Sequence, residues 1–179
     1  MIGLTRQISV KRVAISVLGI IGVIALWSIM PTAPLPPDQH VDRLVARKAD
    51  RTLDLYRGSV LIKSYRISLG AEPIGPKQWL GDGRTPEGDY VIDYHKPDSK
   101  FHRALHISYP SPSDTASARS RGFEPGGLIM IHGMKNGFGY VGRLHTFVDW
   151  TDGCIAVTDS EIDQISRVVA DGTPIRIEP

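Results

Sequence analysis

The chain contains 179 residues, with 21 Lys and Arg, 19 Asp and Glu, and a formal net charge of +2. This balance, without a cluster of basic residues, gives no indication of nucleic-acid binding. A single cysteine excludes an internal disulfide, and the length suits one N-terminal segment followed by one domain of ordinary size.

Residues 13–30 form an uncharged apolar segment that follows three basic residues, Arg6, Lys11 and Arg12. Because positive charges favour the cytoplasmic side, this pattern predicts a cytoplasmic region at 1–12 and a single-pass inner-membrane anchor at 13–30. The remainder would then lie in the periplasm or cell envelope. A cleaved signal peptide, which would release the domain into the periplasm, is the alternative, although the prolines after Met30 disfavour a cleavage site.

Residues 31–48 are predicted to form a proline-rich linker and a polar lead-in, and residues 49–179 the domain. Within the domain, short alternating or apolar runs predict strands at 52–56, 59–69, 89–94, 104–109, 128–132, 154–157 and 173–177. The polar residues 111–127 are expected to form a mobile lid or flap.

One helix is predicted near the C-terminus. Thr158 and Glu161 have the spacing of a capping box, so the helix should begin there and continue to about Ala170. Its buried face should carry Ile162, Ile165, Val168 and Val169. Together these elements predict a mainly β fold, either a β-sandwich or a partly closed barrel, with one short helix.

The candidate chemistry centres on Cys154, which follows Gly153 at the start of an apolar run, and on His132 at the end of another. A cysteine nucleophile needs a base, and amides near a glycine can stabilise an oxyanion. A buried structural cysteine and a hydrogen-bonded core histidine are the alternatives. No Cys/His cluster has metal-ligand spacing and no phosphate or dinucleotide motif occurs, so neither a metal nor an organic cofactor is expected.

The order Ile131-His132-Gly133, a glycine-rich loop, and Thr151-Asp152-Gly153-Cys154-Ile155 resembles the signature of the L,D-transpeptidase catalytic domain, the YkuD-type family. The opening hairpin at 52–69, the run Thr85-Pro86-Glu87-Gly88 and the strand ending at Pro110 also resemble that domain, so the resemblance covers about residues 45–179. It implies a YkuD-like fold with Cys154 as nucleophile, His132 as general base, the Gly133 carbonyl orienting His132, and the amides of Gly153 and Cys154 as the oxyanion hole.

Two positions depart from the family pattern. Asp152 stands where the family has a histidine, and Ala156 stands where a polar or basic residue is common. Asp152 and Thr151 are candidate substrate-binding residues. Candidate contacts for stem carboxylates are Arg119, Arg121, Lys135 and Arg143, although for any single one of them an ordinary solvated loop charge is the favoured interpretation.

The resemblance implies a peptidoglycan L,D-transpeptidase with a role in cell-wall organization and cell shape. A tetrapeptide stem would acylate the cysteine with loss of D-alanine, and the side-chain amine of another stem would accept the acyl group. With water as the acceptor the enzyme would be a carboxypeptidase, and with a lipoprotein lysine it would be a lipoprotein-anchoring enzyme. Cleavage of an existing linkage would make it a hydrolase. The expected partners are stem peptides, an envelope lipoprotein and, through the N-terminal helix, the membrane. A non-catalytic peptidoglycan-binding module and a generic exported β domain remain as alternatives.

Overall fold

The computed structural model describes residues 10–30, 32–36 and 38–179. The strands are β1 (Arg43–Arg47), β2 (Thr52–Arg57), β3 (Val60–Arg66), β4 (Gly88–Ser99), β5 (His102–Ile107), β6 (Met130–His132), β7 (Ile155–Ala156) and β8 (Pro174–Glu178). The helices are α1 (Val10–Ile29), α2 (Pro112–Ser120) and α3 (Asp159–Val168), with a 3₁₀ segment at Gly139–Phe147.

The strands form one eight-stranded sheet in the order β3-β2-β1-β8-β4-β5-β6-β7. Its two ends approach each other, because Ser68, just beyond β3, forms an antiparallel bridge with Ala156 in β7. Gly70 forms a further bridge with Thr151. The prediction of a mainly β fold is confirmed, and these bridges favour a partly closed barrel over two separate sheets.

Helix α3 packs against β5 and covers part of the core. Ile162 and Ile165 are fully buried, as their spacing predicts, and each contributes about 1.5–3 kcal/mol through apolar burial. The predicted capping box is confirmed, with the N–H of Thr158 donating to Glu161 Oε2 over 3.0 Å. The helix therefore begins where the sequence indicates and packs against β5.

Strand β1 lies within the region predicted as linker and lead-in. Leu44 and Ala46 are buried on one face of β1 and Val45 on the other, and β1 pairs with β2 along one edge and with β8 along the other. A strand that is covered on both faces loses the alternating pattern that identifies a half-buried strand. The sheet consequently begins at Arg43, six residues before the predicted domain boundary at residue 49.

Residues 111–127, predicted as a lid or flap, contain helix α2. Ser111 and Asp114 form a capping box at its start, and the Tyr90 hydroxyl donates to Asp114 Oδ2 over 3.1 Å. No helix is predicted from the sequence at 112–120, because the helix signals here consist of a cap and small residues, with only Ala118 buried. The expectation that 111–127 acts as a lid stays a prediction.

The apolar N-terminal segment forms α1, whose end is in contact with the domain. Ser28 is buried, and the guanidinium of Arg143 lies 5.7 Å from the centre of the Trp27 ring. In the described part of the chain, no helix has the combination of length and apolar character needed to cross a membrane. The transmembrane anchor predicted at 13–30 is thus unsupported. Residues 1–9 of the predicted cytoplasmic region lie outside the described residues.

Candidate active site

The sheet brings Cys154 and His132 to one cavity. Strands β6 and β7 are parallel neighbours, and His132 pairs in register with Ala156, two residues beyond Cys154. A cavity of about 390 Å³ opens at this end of the sheet. Its lining is mostly apolar with a few charged groups, and comprises Lys96, Ser99, Lys100, Phe101, Leu128, Met130, His132, Trp150, Thr151, Asp152 and Cys154. Within residues 10–30, 32–36 and 38–179, no three His, Cys, Asp or Glu side chains cluster in a way that could hold a metal ion.

His132 is buried and held in one orientation. Its Nδ1 lies 2.7 Å from the carbonyl oxygen of Gly133. Because a carbonyl only accepts hydrogen bonds, Nδ1 carries the proton and Nε2 keeps its lone pair. Burial lowers the pKa of His132, against a smaller opposing effect of the Gly133 carbonyl. The ring of Phe101 lies 4.5 Å from the imidazole, centre to centre, and packs it in place.

Cys154 is partly buried, and its Sγ–H points to the carbonyl oxygen of Leu128 at 3.6 Å. Burial raises the pKa of the Cys154 thiol, and the Asp152 carboxylate acts in the same direction. A hydrogen bond from the Met130 backbone and the positive charge of Lys77 oppose this shift without reversing it. The resting site thus contains a neutral thiol and a neutral imidazole rather than an ion pair.

Thr151 organises the turn that carries the cysteine. Its hydroxyl donates to the carbonyl oxygen of Cys154 over 2.7 Å and accepts the N–H of Gly153 over 3.1 Å. The Gly153 amide, predicted to contribute to an oxyanion hole, is therefore already engaged. The N–H of Cys154 has no hydrogen-bond acceptor among the described residues.

A second loop, which contains Asp82 and Arg84, packs closely against this turn. Gly153 has φ +124°, and a Cβ built on it would lie 2.4 Å from the carbonyl oxygen of Arg84. The N–H of Arg84 donates to Asp82 Oδ1 over 3.1 Å, and Asp82 also forms a buried ion pair of 2.7 Å with Lys77. Glycine at 153 is thus required both by its backbone conformation and by the close approach of the loop.

The structure separates the predicted substrate-binding residues into two groups. Thr151 and Asp152 line the cavity, whereas the four basic residues do not. Arg121 donates to Gln78 Oε1 over 2.7 Å, Arg143 lies over Trp27, and Arg119 and Lys135 are exposed elsewhere. The cavity instead takes its positive charge from Lys96 and Lys100, on the β4–β5 hairpin. No local sequence signal connects this hairpin with Cys154.

A second histidine, also missed from the sequence, lies beside the site. His145 is 3% exposed, and its Nδ1 lies 3.0 Å from Ser68 Oγ, which itself donates to the His145 carbonyl over 2.8 Å. The His145 and Trp150 rings meet at 90° with centres 6.5 Å apart. Burial, with a smaller effect of His132, lowers the pKa of His145 to about 4. His145 is therefore a neutral, buried support of the cavity wall.

The chain belongs to the YkuD family, defined as the L,D-transpeptidase catalytic domain, whose sequence profile matches residues 41–177. It is also 35% identical over 128 residues to YafK of Escherichia coli (strain K12), which is named a candidate L,D-transpeptidase. That match covers 68% of this chain and 44% of YafK, so the chain spans less than half the length of this relative.

Solved structures support the fold. Pgp2, a helical cell shape determining protein of Campylobacter jejuni, matches with a TM-score of 0.59 and 23% identity over 84% of this chain and 51% of Pgp2. Bd1075 of Bdellovibrio bacteriovorus matches with a TM-score of 0.53 and 21% identity over 83% of this chain and 52% of Bd1075. At these identities the similarity establishes the YkuD-like fold alone.

Proposed function

We propose that the protein is a cysteine-dependent L,D-acyltransferase of peptidoglycan, with Cys154 as nucleophile and His132 as general base. The observation that carries this proposal is that both side chains line one cavity, with His132 Nδ1 fixed on the Gly133 carbonyl. That hydrogen bond leaves Nε2 as the only ring atom able to take the thiol proton. Family membership supplies the class of reaction.

The first half-reaction begins with proton transfer. His132 Nε2 takes the proton of Cys154 as Sγ attacks the carbonyl carbon at the L-centre of the third stem residue. Because both groups are neutral at rest, the base acts during the attack rather than before it. The C–N bond to the terminal D-alanine then breaks, and the protonated imidazole returns its proton to the leaving amine. The product is a thioester on Cys154.

The oxyanion of the tetrahedral intermediate needs donors that are free to bind it. The N–H of Cys154 meets that condition, whereas the N–H of Gly153 would first have to leave Thr151 Oγ1. Each preorganised donor typically contributes about 3–4 kcal/mol to transition-state stabilisation. We therefore propose the backbone N–H of Cys154 as the main oxyanion donor. The N–H of Gly153 would contribute only after its hydrogen bond to Thr151 Oγ1 is broken.

The second half-reaction transfers the acyl group to an acceptor. Attack by the side-chain amine of another stem gives a cross-link, and the L,D-transpeptidase assignment of the family favours this outcome. Water as the acceptor would give a carboxypeptidase, and a lipoprotein lysine would give an anchoring enzyme. If an existing linkage, rather than the bond to D-alanine, is broken in the first step and water is the acceptor, the enzyme is a hydrolase. We place the activity in the cell envelope, where peptidoglycan lies, and export with a cleaved signal segment is compatible with this. A role in cell shape is proposed by analogy with the name of Pgp2.

Mass spectrometry of the intact protein with purified disaccharide-tetrapeptides tests this function. We expect an adduct on Cys154 and released D-alanine, with dimers, tripeptides or protein-linked stems identifying the acceptor. Cys154→Ala should form no adduct, and His132→Gln should form it at least about a hundredfold more slowly. His40→Gln is the matched control because His40 is exposed and outside the cavity.

The alternatives predict different behaviour of the thiol. In the proposed enzyme Cys154 lines an open cavity, so iodoacetamide should alkylate it in the folded protein. In a generic β domain with a structural cysteine, alkylation would require unfolding. In a binding module without turnover, the thiol would react with iodoacetamide and the protein would bind stems without forming an adduct. Either of the last two results would reject the proposed chemistry.

A further inference from the structure

The peptide group between Gly133 and Met134 is hydrogen-bonded at both of its ends beside the candidate site. Its carbonyl oxygen lies 2.7 Å from His132 Nδ1, which is the contact that orients the general base. Its N–H, contributed by Met134, donates to Asp159 Oδ1 over 2.7 Å. One peptide group therefore connects the carboxylate of Asp159 with the imidazole of His132, although the predicted site does not include Asp159.

Two glycines make room for the Asp159 carboxylate. A Cβ built on Gly133 would lie 2.7 Å from Asp159 Oδ1, and one built on Gly139 would lie still closer to Asp159 Oδ2. Both separations are shorter than a real side chain allows, so a larger residue at either position would displace the carboxylate. The Asp159 side chain is thus enclosed between the segment that follows His132 and the start of the 3₁₀ segment.

Helix α3 fixes the position of this carboxylate in the fold. Asp159 is the first residue of α3, and α3 packs against β5 and against β6, the strand that ends at His132. The N–H of Gly133 donates to the carbonyl oxygen of Arg103 in β5 over 3.2 Å. The Gly133–Met134 peptide group is therefore held between a strand and a helix, and the only side chain that joins it to the helix is the short one of Asp159.

This arrangement acts on the base through the polarity of the peptide group. When a carboxylate accepts the N–H of a peptide, it polarises the carbonyl of that peptide, because hydrogen bonds in a chain strengthen one another. The Gly133 oxygen then accepts the Nδ1–H of His132 more strongly, above all when the imidazole is positively charged. The hydrogen bond to Gly133 raises the pKa of His132, against the larger effect of burial. A stronger bond therefore favours the imidazolium that forms as the thiol attacks.

We propose that Asp159 is a positioning residue for the general base and acts on His132 through the Gly133–Met134 peptide group. This rests on the proposed function and deepens it by adding a third residue behind the nucleophile and the base. Asp159 would keep the imidazole in the tautomer with Nε2 free and would stabilise its protonated form. It does not line the cavity, so it would not contact the substrate. The competing explanation is a structural role limited to holding the loop after His132.

Two substitutions of Asp159 separate its charge from its hydrogen bond. Asparagine has nearly the same shape and keeps an oxygen that can accept the N–H of Met134, whereas alanine leaves that N–H without an acceptor. With disaccharide-tetrapeptides, adduct formation on Cys154 should slow by about three- to tenfold for Asp159→Asn and by about ten- to a hundredfold for Asp159→Ala. Asp171→Asn removes an exposed carboxylate outside the cavity and should leave the rate unchanged.

The pH profile of adduct formation distinguishes positioning from a structural role. Because both variants weaken the acceptor of Nδ1–H, the pKa of His132 should fall, and the acidic limb of the profile should move to lower pH. Loss of local structure would instead expose His132 to water and raise its pKa, since burial is what lowers it. Nitrogen–proton NMR of the full chain measures this pKa and the tautomer without substrate, and His132→Gln identifies the signals.

The other titratable groups near His132 are the same in all these variants, so a shift can be attributed to Asp159. They are Cys154, Asp152, Lys96, Lys100, His102 and His145. A lower pKa of His132 with slower adduct formation would support the proposal, and an unchanged or raised pKa, or unchanged rates, would overturn it. A lower pKa in the variants, combined with no adduct on the unsubstituted protein, would reject the acyl transfer and still support the connection between Asp159 and His132.

Discussion

The close approach behind the cysteine turn makes Gly153→Ala the most discriminating structural test. Alanine at this position would adopt φ +124°, a conformation rarely open to L-residues, at a cost of about 1–3 kcal/mol. Its Cβ would also lie 2.4 Å from the Arg84 carbonyl oxygen. That oxygen belongs to a backbone segment held by Asp82, so relief requires moving a loop rather than a side chain.

The packing cost can be isolated with a matched glycine. Gly172 has φ +86°, and the position that a Cβ would take there has nothing within 4 Å, so Gly172→Ala carries the conformational cost alone. Overpacking typically adds about 1–3 kcal/mol, so Gly153→Ala should lose about 2–6 kcal/mol of unfolding free energy in total. This is a large share of the roughly 5–15 kcal/mol that stabilises a domain.

Urea denaturation of both variants measures this difference, and iodoacetamide alkylation reports on the thiol. Gly153→Ala should be the less stable variant by about 1–3 kcal/mol, and its Cys154 alkylation rate should change because the turn has moved. Equal losses for the two variants, with unchanged alkylation, would show that the Arg84 contact does not constrain the turn.

Three further predictions concern charge. Asp152→Asn should lower the pKa of Cys154, because it removes a carboxylate that raises this pKa. Alkylation of Cys154, measured as a function of pH, should then be faster at neutral pH. Unchanged alkylation kinetics would show that the Asp152 carboxylate does not influence the thiol. The pKa of His145 is depressed to about 4 in the folded state, so stability should be complete above about pH 6.5 and fall by roughly 3 kcal/mol as the pH drops towards 4. His145→Gln should flatten that slope in urea titrations at several pH values. Lys48→Met should cost about 3–5 kcal/mol of unfolding free energy, because it leaves Glu87 without its buried partner at 2.7 Å; a loss below about 1 kcal/mol would contradict this.

The parts of the fold that can be predicted from the sequence are those with local signals. Helix α3 has a capping box at Thr158 and apolar residues at helical spacing, and both features appear in the structure. Helix α2 has almost no apolar face, since its one buried residue is Ala118, so its sequence resembles a polar loop. Strand β1 was not predicted because it is too apolar rather than too polar. Burial on both faces removes the alternation of apolar and polar residues from this short strand.

The residues of the candidate site can likewise be predicted only where they carry a local sequence signal. Cys154 and His132 are identifiable because they belong to a motif read along the chain, and β6 and β7 place them at one cavity. Lys100, which lines the same cavity, cannot be identified from the sequence, because its position depends on contacts with Asn136 that join residues far apart in sequence. Nothing in the sequence indicates that the Gly153 amide is occupied either, since that depends on where the Thr151 hydroxyl points.

The sheet register shows where the side chain of Ala156 lies, at the position where the family commonly has a polar or basic residue. His132, Ala156 and Ser68 are consecutive cross-strand partners, so their side chains point to the same face. Ser68 holds the buried His145 on that face, in electrostatic contact with His132. Ala156 itself is fully buried, so a longer polar side chain at this position would be placed among buried groups on that face rather than in solvent.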